Sequence, residues 1–420
     1  MNNFTTDTYE MKREIVNFSK KISKGVNKST EKFISDMQYG ISKSGSVLLT
    51  NISRTLNEKI NLKYTVDRLS NNLMTLTKEE VKQIKENYIN EIINLFPEEP
   101  IAIFDDSDIA KPYGKKFEDL DEVIDASSLK HEIVSGYHVC EAVILTEKEM
   151  QPISVYSEIY SCKSHNFISK NHYTNESIET VRNVLDRKCN MIFDRGYDDN
   201  KIIDMVDSSG DYFVIRMQDR RMFLFKGKKK NCHEEAVKRK GKVKMKLLFD
   251  DNEEYEVSIS HTKVTLPYNQ KDYELVIVYG LSEERPMILL TNREIHSKED
   301  LIKVVRLYFS RWRIEEYFRA KKQEYDFENM RVRTLDTMNN LNLMLTIHLG
   351  HIGILAESID KKLLVYKIIE RSKSIRNKII VWISQIARGT KEILLLAHTG
   401  IKEYQKIETR EKYRQLQLEI

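Results

Sequence analysis

The stretch from Tyr308 to Lys322, with the sequence YFSRWRIEEYFRAKK, decides the fold prediction for this chain. On one continuous α-helix, which advances about 100° per residue, Tyr308, Arg311, Glu315 and Lys322 share an arc of about 60°. The apolar residues of the region occupy the same side of that helix: Val304, Leu307, Trp312, Ile314 and Phe318. The stretch therefore predicts a helix with polar residues inside its apolar face.

Four further polar residues of this region fall on the opposite side of the helix, which we expect to be solvated: Arg306, Ser310, Arg313 and Lys321. A run of charges is most often a solvated face. Charges on an apolar face instead need a metal ion, a phosphate or one another as partners. The pattern leaves open whether Arg311, Glu315 and Lys322 form a functional site or a buried network of salt bridges.

The spacing Tyr-x2-Arg-x3-Glu-x6-Lys resembles the signature of insertion-sequence DDE transposases of the insertion sequence four family. Tyr308, Arg311, Glu315 and Lys322 match that signature without a departure. The resemblance implies an RNase H-like nuclease in which Glu315 is the third metal-binding carboxylate. It also implies that Tyr308, Arg311 and Lys322 hold the DNA end close to the cleavage point.

The first upstream carboxylate is expected where an apolar strand pattern, Ile101 to Phe104, is followed directly by acids. A carboxylate at the end of a buried strand does not help to stabilise the fold, but it is a good metal ligand. The family motif, a hydrophobic strand followed by Asp, any residue, and Ser or Thr, implies Asp105. Asp106 and Asp108 stay open as alternatives.

The second carboxylate is expected at Asp194, in the segment NMIFDRGYD that begins at Asn190. The segment reads as a short apolar strand followed by Gly and a new helix near Asp199. An aspartate there is also an ordinary helix cap. Asp-Arg-Gly-Tyr matches the second motif of the family, which implies that Asp194 is catalytic.

Asp105, Asp194 and Glu315 together offer the hard oxygen ligands that suit Mg²⁺, for which Mn²⁺ substitutes. Strand-exchange nucleases use two divalent ions, one for the nucleophile and one for the leaving oxygen. The expected reaction is DNA strand cleavage that leaves a 3′-OH, followed by attack of that 3′-OH on a second phosphodiester. The chain has no Ser or Tyr nucleophile motif with its own base.

Composition indicates a cytoplasmic, nucleoid-associated protein of two to four domains: 420 residues, 40% hydrophobic and 31% charged. No apolar run is long enough for a membrane span, and no signal-peptide pattern is present. Leu341 to Leu355 is expected to be a buried helix in which His348 and His351 are structural. The four cysteines form no C-x-x-C pair, so we expect reduced thiols and no zinc site: Cys140, Cys162, Cys189 and Cys232.

The predicted fold class is α/β, with an RNase H-like mixed sheet flanked by helices, an all-β insertion and helical terminal regions. Two strand-like runs, in residues 134–146 and 150–161, would join the Asp105 strand in a three-stranded antiparallel start, followed by a helix from about Glu176 to Lys188. The expected division is a helical DNA-binding domain, a first part of the catalytic core, a β-rich insertion, a second part of the core with Glu315, and a helical C-terminal region: residues 1–95, 96–215, 216–296, 297–345 and 346–420.

Residues 1–95 show apolar positions at helical spacing, with Thr65 and Thr77 as expected helix starts. Lys and Arg outnumber Asp and Glu there by 15 to 11. Residues 44–73 are expected to form two short helices around a turn, an arrangement suited to DNA. A helical support for the core fits these residues as well; the family resemblance favours binding of the transposon end.

The segment from Arg216 to Lys246 carries 13 Lys and Arg against 3 Asp and Glu. With Phe223 and Phe225 interleaved, it is expected to bind DNA phosphates, with Lys228, Lys229 and Lys230 at its centre. A solvating charged loop is the alternative. From Arg371 onward, Lys and Arg exceed acids by 11 to 5, which indicates either a DNA contact or a protein interface.

Leu289-Leu290-Thr291 matches a family motif in the branch that forms a DNA hairpin, where a Trp two residues earlier stacks on a flipped base. Met287 occupies that position here, and it lacks the flat aromatic face that favours stacking. Met287 as a weaker wedge, a nearby ring such as Tyr279, or a less favoured hairpin route all stay open.

The predicted function is a cut-and-paste DNA transposase that passes through a hairpin intermediate. Its expected partners are the terminal inverted repeats and target DNA, bound by a homodimer. The alternatives are an RNase H-like nuclease without strand transfer and a domesticated DNA-binding protein without catalysis.

Overall fold

Five helices form the N-terminal region of the computed structural model, which describes residues 3–124, 132–248, 254–282, 285–359, 362–373 and 382–406. They are α1 (Asn3–Ile22), α2 (Lys28–Ser44), α3 (Leu49–Leu56), α4 (Leu62–Thr75) and α5 (Lys78–Ile92). Thr77 starts α5 through a capping box with Glu80, as predicted. The start predicted at Thr65 is wrong, because the Asn61 side chain caps α4 and Thr65 lies inside it.

In the described part of the chain, twelve strands form one mixed sheet. They are β1 (Ile101–Ala110), β2 (Asp121–Ile124), β3 (Ile133–Leu145), β4 (Pro152–Tyr160), β5 (Asn190–Phe193), β6 (Tyr212–Arg216), β7 (Met222–Phe225), β8 (Lys228–Asn231), β9 (Val243–Leu248), β10 (Glu254–Thr265), β11 (Asp272–Tyr279) and β12 (Met287–Thr291). The strand order is β2-β3-β1-β5-β6-β12-β11-β10-β7-β8, with β4 paired to β3 and β9 paired to β10. The predicted α/β class with a mixed sheet is confirmed.

The strands that position the candidate site are β4, β3, β1, β5 and β6 in spatial order. β1 is antiparallel to β3, and β3 is antiparallel to β4, so the predicted three-stranded antiparallel start is confirmed. β5 is parallel to both β1 and β6. Phe104 pairs with Phe193, so Asp105 and Asp194, which follow them, lie side by side. β5 ends at Phe193, whereas β1 continues to Ala110, so the strand end expected at Asp105 is wrong.

The second half of the sheet is antiparallel from β6 through β12, β11 and β10. One short helix, α8 (Cys232–Val237), interrupts this region, so the expectation of an all-β insertion is wrong in that detail. Phe223 and Phe225 are buried in the core, not displayed beside the lysines as predicted. Alternation along β7 explains this, because every second side chain of a strand points to the same face.

Seven further helices cover the sheet and close the chain: α6 (Lys170–Val184), α7 (Asn200–Ser209), α9 (Lys298–Phe309), α10 (Trp312–Tyr325), α11 (Leu335–Ala356), α12 (Leu363–Arg371) and α13 (Ile383–Leu395). The helix expected from Glu176 therefore begins earlier, at Lys170, where Ser169 caps it. α7 begins after the Asp199 cap, as predicted. Within the described ranges, no helix is long and apolar enough to span a bilayer.

The helices near the two ends of the chain pack together. Thr8 donates a hydrogen bond to the carbonyl of Ile393 in α13, and Lys43 of α2 donates one to the carbonyl of Ala397. Between them α11 runs through the core, and its His348 and His351 are buried. Part of the basic C-terminal segment, residues 374–381 and 407–420, lies outside the described residues.

Candidate active site

Asp105 and Asp194 lie side by side because their strands are parallel and in register. Phe104 of β1 pairs with Phe193 of β5, and each aspartate is the next residue along the chain. Asp105 continues β1, whereas Asp194 ends β5 and precedes the 3₁₀ turn Arg195–Tyr197. Two carboxylates at one sheet edge repel each other, and each is only partly screened by water.

The signature stretch is two helices and not the single helix that the sequence predicts. α9 ends at Phe309 and α10 begins at Trp312. Between them the Arg311 N–H bonds the Tyr308 carbonyl three residues back, and the Ser310 hydroxyl donates to the Leu307 carbonyl. This tighter turn rotates the chain by about 120° per residue, so positions computed for a uniform α-helix drift beyond it.

Three burial predictions in the same stretch are wrong, and the break between the helices lies at or before all three residues. Ser310 and Lys321 were expected on the solvated side, yet both are buried. Glu315 was expected within the apolar face, yet its side chain is 49% exposed. Tyr308, in contrast, is buried as expected.

Arg311 joins the carboxylates of the site. Its Nη1 lies 3.3 Å from Asp105 Oδ2, and its Nη2 bonds Glu315 Oε1. Tyr308 donates its hydroxyl to Asp194 Oδ1 at 3.0 Å. The structure thus brings Asp105, Asp194 and Glu315 into one cluster with Arg311 and Tyr308.

Arg216 is a residue of this cluster that the sequence analysis did not assign to the site. Its Nη1 lies 4.0 Å from Asp194 Oδ1, at the end of β6. The only available signal was its position at the carboxyl end of a parallel strand next to β5, which becomes visible once the strand order is known. The long basic run that follows it in the sequence masked that signal.

The electrostatics of the two aspartates differ. The pKa of Asp105 is raised to about 7, chiefly by burial; Arg311 opposes this shift, and the charges of Asp194 and Asp106 add to it. Burial also disfavours the charged form of Asp194, but Arg311, the Arg195 N–H and the Tyr308 hydroxyl lower its pKa overall. Its neighbours therefore favour the ionised form of Asp194, whereas burial disfavours the ionised form of Asp105.

Asp106 and Asp108, the alternatives to Asp105, point to the other face of the sheet, as alternation along β1 requires. Asp106 hydrogen-bonds Cys140 and Tyr197, and Asp108 Oδ1 lies 2.7 Å from His138 Nδ1. Only Asp105 of these three acids contacts Arg311 among the described contacts. The geometry favours Asp105 as the member of the cluster.

The residues predicted to bind DNA do not all lie at this cluster. Lys322, about two turns beyond Glu315 on α10, pairs through its Nζ with Glu328 at 3.2 Å. Met287 lies in β12 opposite Val278, and it is half-buried. Tyr279, the alternative ring, donates its hydroxyl to the Ala236 carbonyl and is held by that bond.

The lysines of the basic segment 216–246 are partly paired with acids, two of which lie in β10 outside the segment and one within it. Lys244 and Lys246 pair with Glu256 and Glu254 across β9 and β10. Lys230 pairs with Glu235 at 2.9 Å. Lys228 and Lys229 are exposed on β8 at the far edge of the sheet. The excess of Lys and Arg counted in the sequence is therefore larger than the unpaired positive charge that this segment exposes to solvent.

The donor set of the cluster fits hard divalent cations. Three carboxylates from three separate elements lie with two guanidinium groups, those of Arg311 and Arg216, so the carboxylates outnumber the cations. Carboxylate oxygens are the ligands that Mg²⁺ and Mn²⁺ prefer.

Comparison with known proteins identifies the family. The model of the transposase DDE domain family matches residues 124–349, which is more than half of the chain and includes Asp194 and Glu315. A cryo-EM structure of a piggyBac transposase synaptic complex with hairpin DNA matches with a TM-score of 0.43 and 11% identity, over 97% of this chain and 84% of that chain. The comparison with curated proteins gave no match.

Proposed function

The chain belongs to the transposase DDE domain family, and we propose that it binds the ends of a transposable element, cleaves them and joins their 3′-OH groups to target DNA. One observation carries this proposal: Asp105, Asp194 and Glu315 meet around Arg311 at one sheet edge. The resemblance of Tyr308 to Lys322 to the insertion sequence four signature supports that branch of the family.

An RNase H-like core is part of the proposal. The order β4-β3-β1-β5-β6, with three antiparallel strands followed by two parallel ones, supports it. So does the origin of the acids, with two at the sheet edge and the third on α10. We keep the division into residues 1–95, 96–215, 216–296, 297–345 and 346–420, with DNA binding by the first, as part of this proposal.

Asp105, Asp194 and Glu315 would hold two Mg²⁺ or Mn²⁺ ions, which when bound activate the attacking oxygen and stabilise the leaving one. Tyr308 fixes the Asp194 carboxylate through its hydrogen bond. Arg311 keeps Asp105 and Glu315 together before DNA arrives, and its guanidinium is suited to a bidentate phosphate contact. Lys322 would contribute a point charge to the same DNA end.

DNA recognition would involve further surfaces. Lys228, Lys229 and Lys230 on β8 would contact phosphates, and Met287 on β12 would act as a wedge in a hairpin intermediate. Two copies of the chain would hold the two ends in one synaptic complex, in association with the nucleoid. Two other functions fit the same cluster less fully: a nuclease that does not join ends, and a DNA-binding protein that has lost catalysis.

The test uses the full chain, Mg²⁺, and labelled DNA that carries the sequences flanking its gene on both sides. We expect 3′-OH ends, a snap-back strand of double length on denaturing gels, and products joined to target DNA. Cleavage without joined products would identify a nuclease. Binding without cleavage would identify a DNA-binding protein, and open ends without snap-back strands would contradict the hairpin.

A further inference from the structure

A second group of ligating side chains lies on the opposite face of β1 from Asp105. Asp121 begins β2, His138 lies in β3, and Cys162 follows β4. One ligand atom of each residue lies within 4.8 Å of the other two, and His138 Nε2 lies 3.7 Å from Asp121 Oδ2. Three different donor types, a carboxylate, an imidazole and a thiol, therefore converge on one point.

The separation of these atoms suits a tetrahedral cation. Ligand atoms that bind Zn²⁺ at 2.0–2.3 Å lie about 3.3–3.8 Å from one another. The His138 to Asp121 distance already falls in that range. The Cys162 thiol hydrogen-bonds the Asp121 carboxylate, which keeps it beside the other two ligands, and the partial exposure of Cys162 and His138 leaves a path for the ion.

The second ring nitrogen of His138 has the partner that a metal-binding histidine needs. Asp108 Oδ1 lies 2.7 Å from His138 Nδ1, which directs Nε2 toward Asp121 and Cys162. A carboxylate on the far nitrogen fixes the tautomer and raises the basicity of the ligand. The Tyr160 ring, 5.3 Å from the imidazole centre, limits rotation of the histidine.

Asp121 is also held in place. Its Oδ1 accepts the Glu122 N–H at 2.8 Å, and its Oδ2 accepts the Cys162 N–H at 2.6 Å. Each oxygen keeps a second lone pair, so these bonds orient the carboxylate without preventing coordination. Asp121 is buried, which reduces the cost of ordering it when an ion binds.

We propose that Asp121, His138 and Cys162 form a binding site for a borderline divalent cation of the Zn²⁺ class, with water as the fourth ligand. Nitrogen and sulfur donors favour Zn²⁺ over Mg²⁺, so this site is chemically distinct from the carboxylate cluster. The ion joins β2, β3 and the end of β4, and it stabilises the edge of the sheet that carries β1. No sequence motif indicates this site, because its ligands come from three separate segments of the chain.

The first test measures Zn²⁺ bound to the full chain by elemental analysis after dialysis in excess Mg²⁺, which saturates oxygen-only sites. We expect one Zn²⁺ per chain. Cys162→Ser and His138→Gln should each weaken binding by more than about 100-fold, and Asp108→Asn by about 10–100-fold. Cys189→Ser, which removes a buried thiol elsewhere, should bind as the unaltered chain does.

The second test uses Co²⁺ as a spectroscopic probe. The unaltered chain and Asp105→Asn should both show a thiolate-to-cobalt charge-transfer band, whereas Cys162→Ser should not. Asp108→Asn keeps all three ligands, so its weaker binding is informative even if Cys162→Ser fails to fold. Equal Zn²⁺ binding by the unaltered chain and Cys162→Ser, or no charge-transfer band, would mean that the three side chains form only a hydrogen-bonded cluster.

Discussion

Two charged clusters lie next to each other along α10 and differ in how completely they are neutralised. Asp105 and Glu141 are direct neighbours across β1 and β3. Asp105 belongs to the cluster around Arg311, which is open to water and has more carboxylates than cations. Glu141 pairs with Lys321 at 2.8 Å, and both side chains are fully buried.

The Lys321–Glu141 pair is closed by polar neighbours. Ser157 donates to Glu141 at 2.8 Å, Ser154 bonds its other oxygen, and Asn342 donates to Ser157. Burial lowers the pKa of Lys321, and Glu141 opposes that shift. The charges of the Lys321–Glu141 pair compensate each other, so the pair does not attract a further ion. The cluster around Arg311 has carboxylate charge that its cations do not compensate, so it can attract a metal ion. Both clusters are charged. The candidate site differs from the Lys321–Glu141 pair in that its carboxylates outnumber its cations.

The largest effect should come from neutralising the open cluster. Asp105→Asn, Asp194→Asn and Glu315→Gln should each lower Mg²⁺-dependent cleavage by more than about 10²-fold, because each removes charge that stabilises the transition state through the ions. Chelation of Mg²⁺ should have the same effect on the unaltered chain. Cleavage rates on labelled DNA ends measure both.

Asp106→Asn is the matched control, because Asp106 neighbours Asp105 but faces the other side of the sheet. Its cleavage rate per folded molecule should stay close to that of the unaltered chain. If Asp106→Asn abolishes cleavage and Asp105→Asn does not, the assignment of the first carboxylate is wrong.

Substitutions in the buried Lys321–Glu141 pair should lower the stability of the fold and leave the rate of DNA cleavage unchanged. Lys321→Met leaves Glu141 buried without its cation, which should cost about 3–5 kcal/mol in the free energy of unfolding. Chemical denaturation measures this loss. Because the pair lies outside the open cluster, cleavage per folded molecule should be nearly unchanged.

The double variant Lys321→Met with Glu141→Leu sharpens that test. It removes both charges, so it should recover a large part of the lost stability. A double variant as unstable as the sum of the two single variants would mean that the two charges are not coupled.

Two buried histidines, His348 and His351, should make the free energy of unfolding depend on pH. Burial lowers the pKa of His348 and of His351 to about 3. The unfolded chain takes up protons as the pH falls through about 6.5, whereas the folded chain stays neutral until about 3. Stability should therefore fall between these pH values, by roughly 1.4 kcal/mol per pH unit for each histidine.

Unfolding free energies between pH 7 and pH 5 check this expectation. His351→Phe keeps a ring against Phe18, on which His351 stacks at 4.4 Å, and should halve the histidine part of the acid slope. An unchanged slope in His351→Phe would show that the imidazole does not carry the acid sensitivity.

The smallest effect concerns the exposed lysines of β8. Replacing Lys228, Lys229 and Lys230 with Gln should weaken DNA binding equally on all sequences. It should also reduce the salt slope of the affinity by about 2, because Lys230 is already paired with Glu235. Lys244→Gln with Lys246→Gln is the control, since both pair with acids, and its slope should change less. Equal changes would mean that β8 has no special role.

The sequence predicted the elements that local pattern determines. The short apolar runs predicted the strands that lead to Asp105 and Asp194, although β1 continues through Asp105 to Ala110, and the Thr77 cap followed from its Glu80 partner. The mixed sheet was predictable because strand patterns and helical patterns were distinct along the chain. The family followed from four residues in the stretch Tyr308 to Lys322, and the family match is consistent with it.

What the sequence could not predict depends on geometry that no single segment contains. The break at Ser310 arises from i to i−3 hydrogen bonds that a uniform helical projection does not represent. Lys321 can be buried because it pairs with Glu141 on β3, a residue that is distant from it in the sequence. Arg216 joins Asp194 only through the order of β5 and β6.

The most direct test of the central idea, that Asp105, Asp194 and Glu315 form one metal site, is anomalous diffraction from crystals of the full chain with a DNA end and Mn²⁺. We predict anomalous peaks contacted by Asp105, Asp194 and Glu315 together, with Arg311 no longer bridging Asp105 and Glu315. Peaks that leave out one of these acids, or that lie at Asp106, would contradict the account.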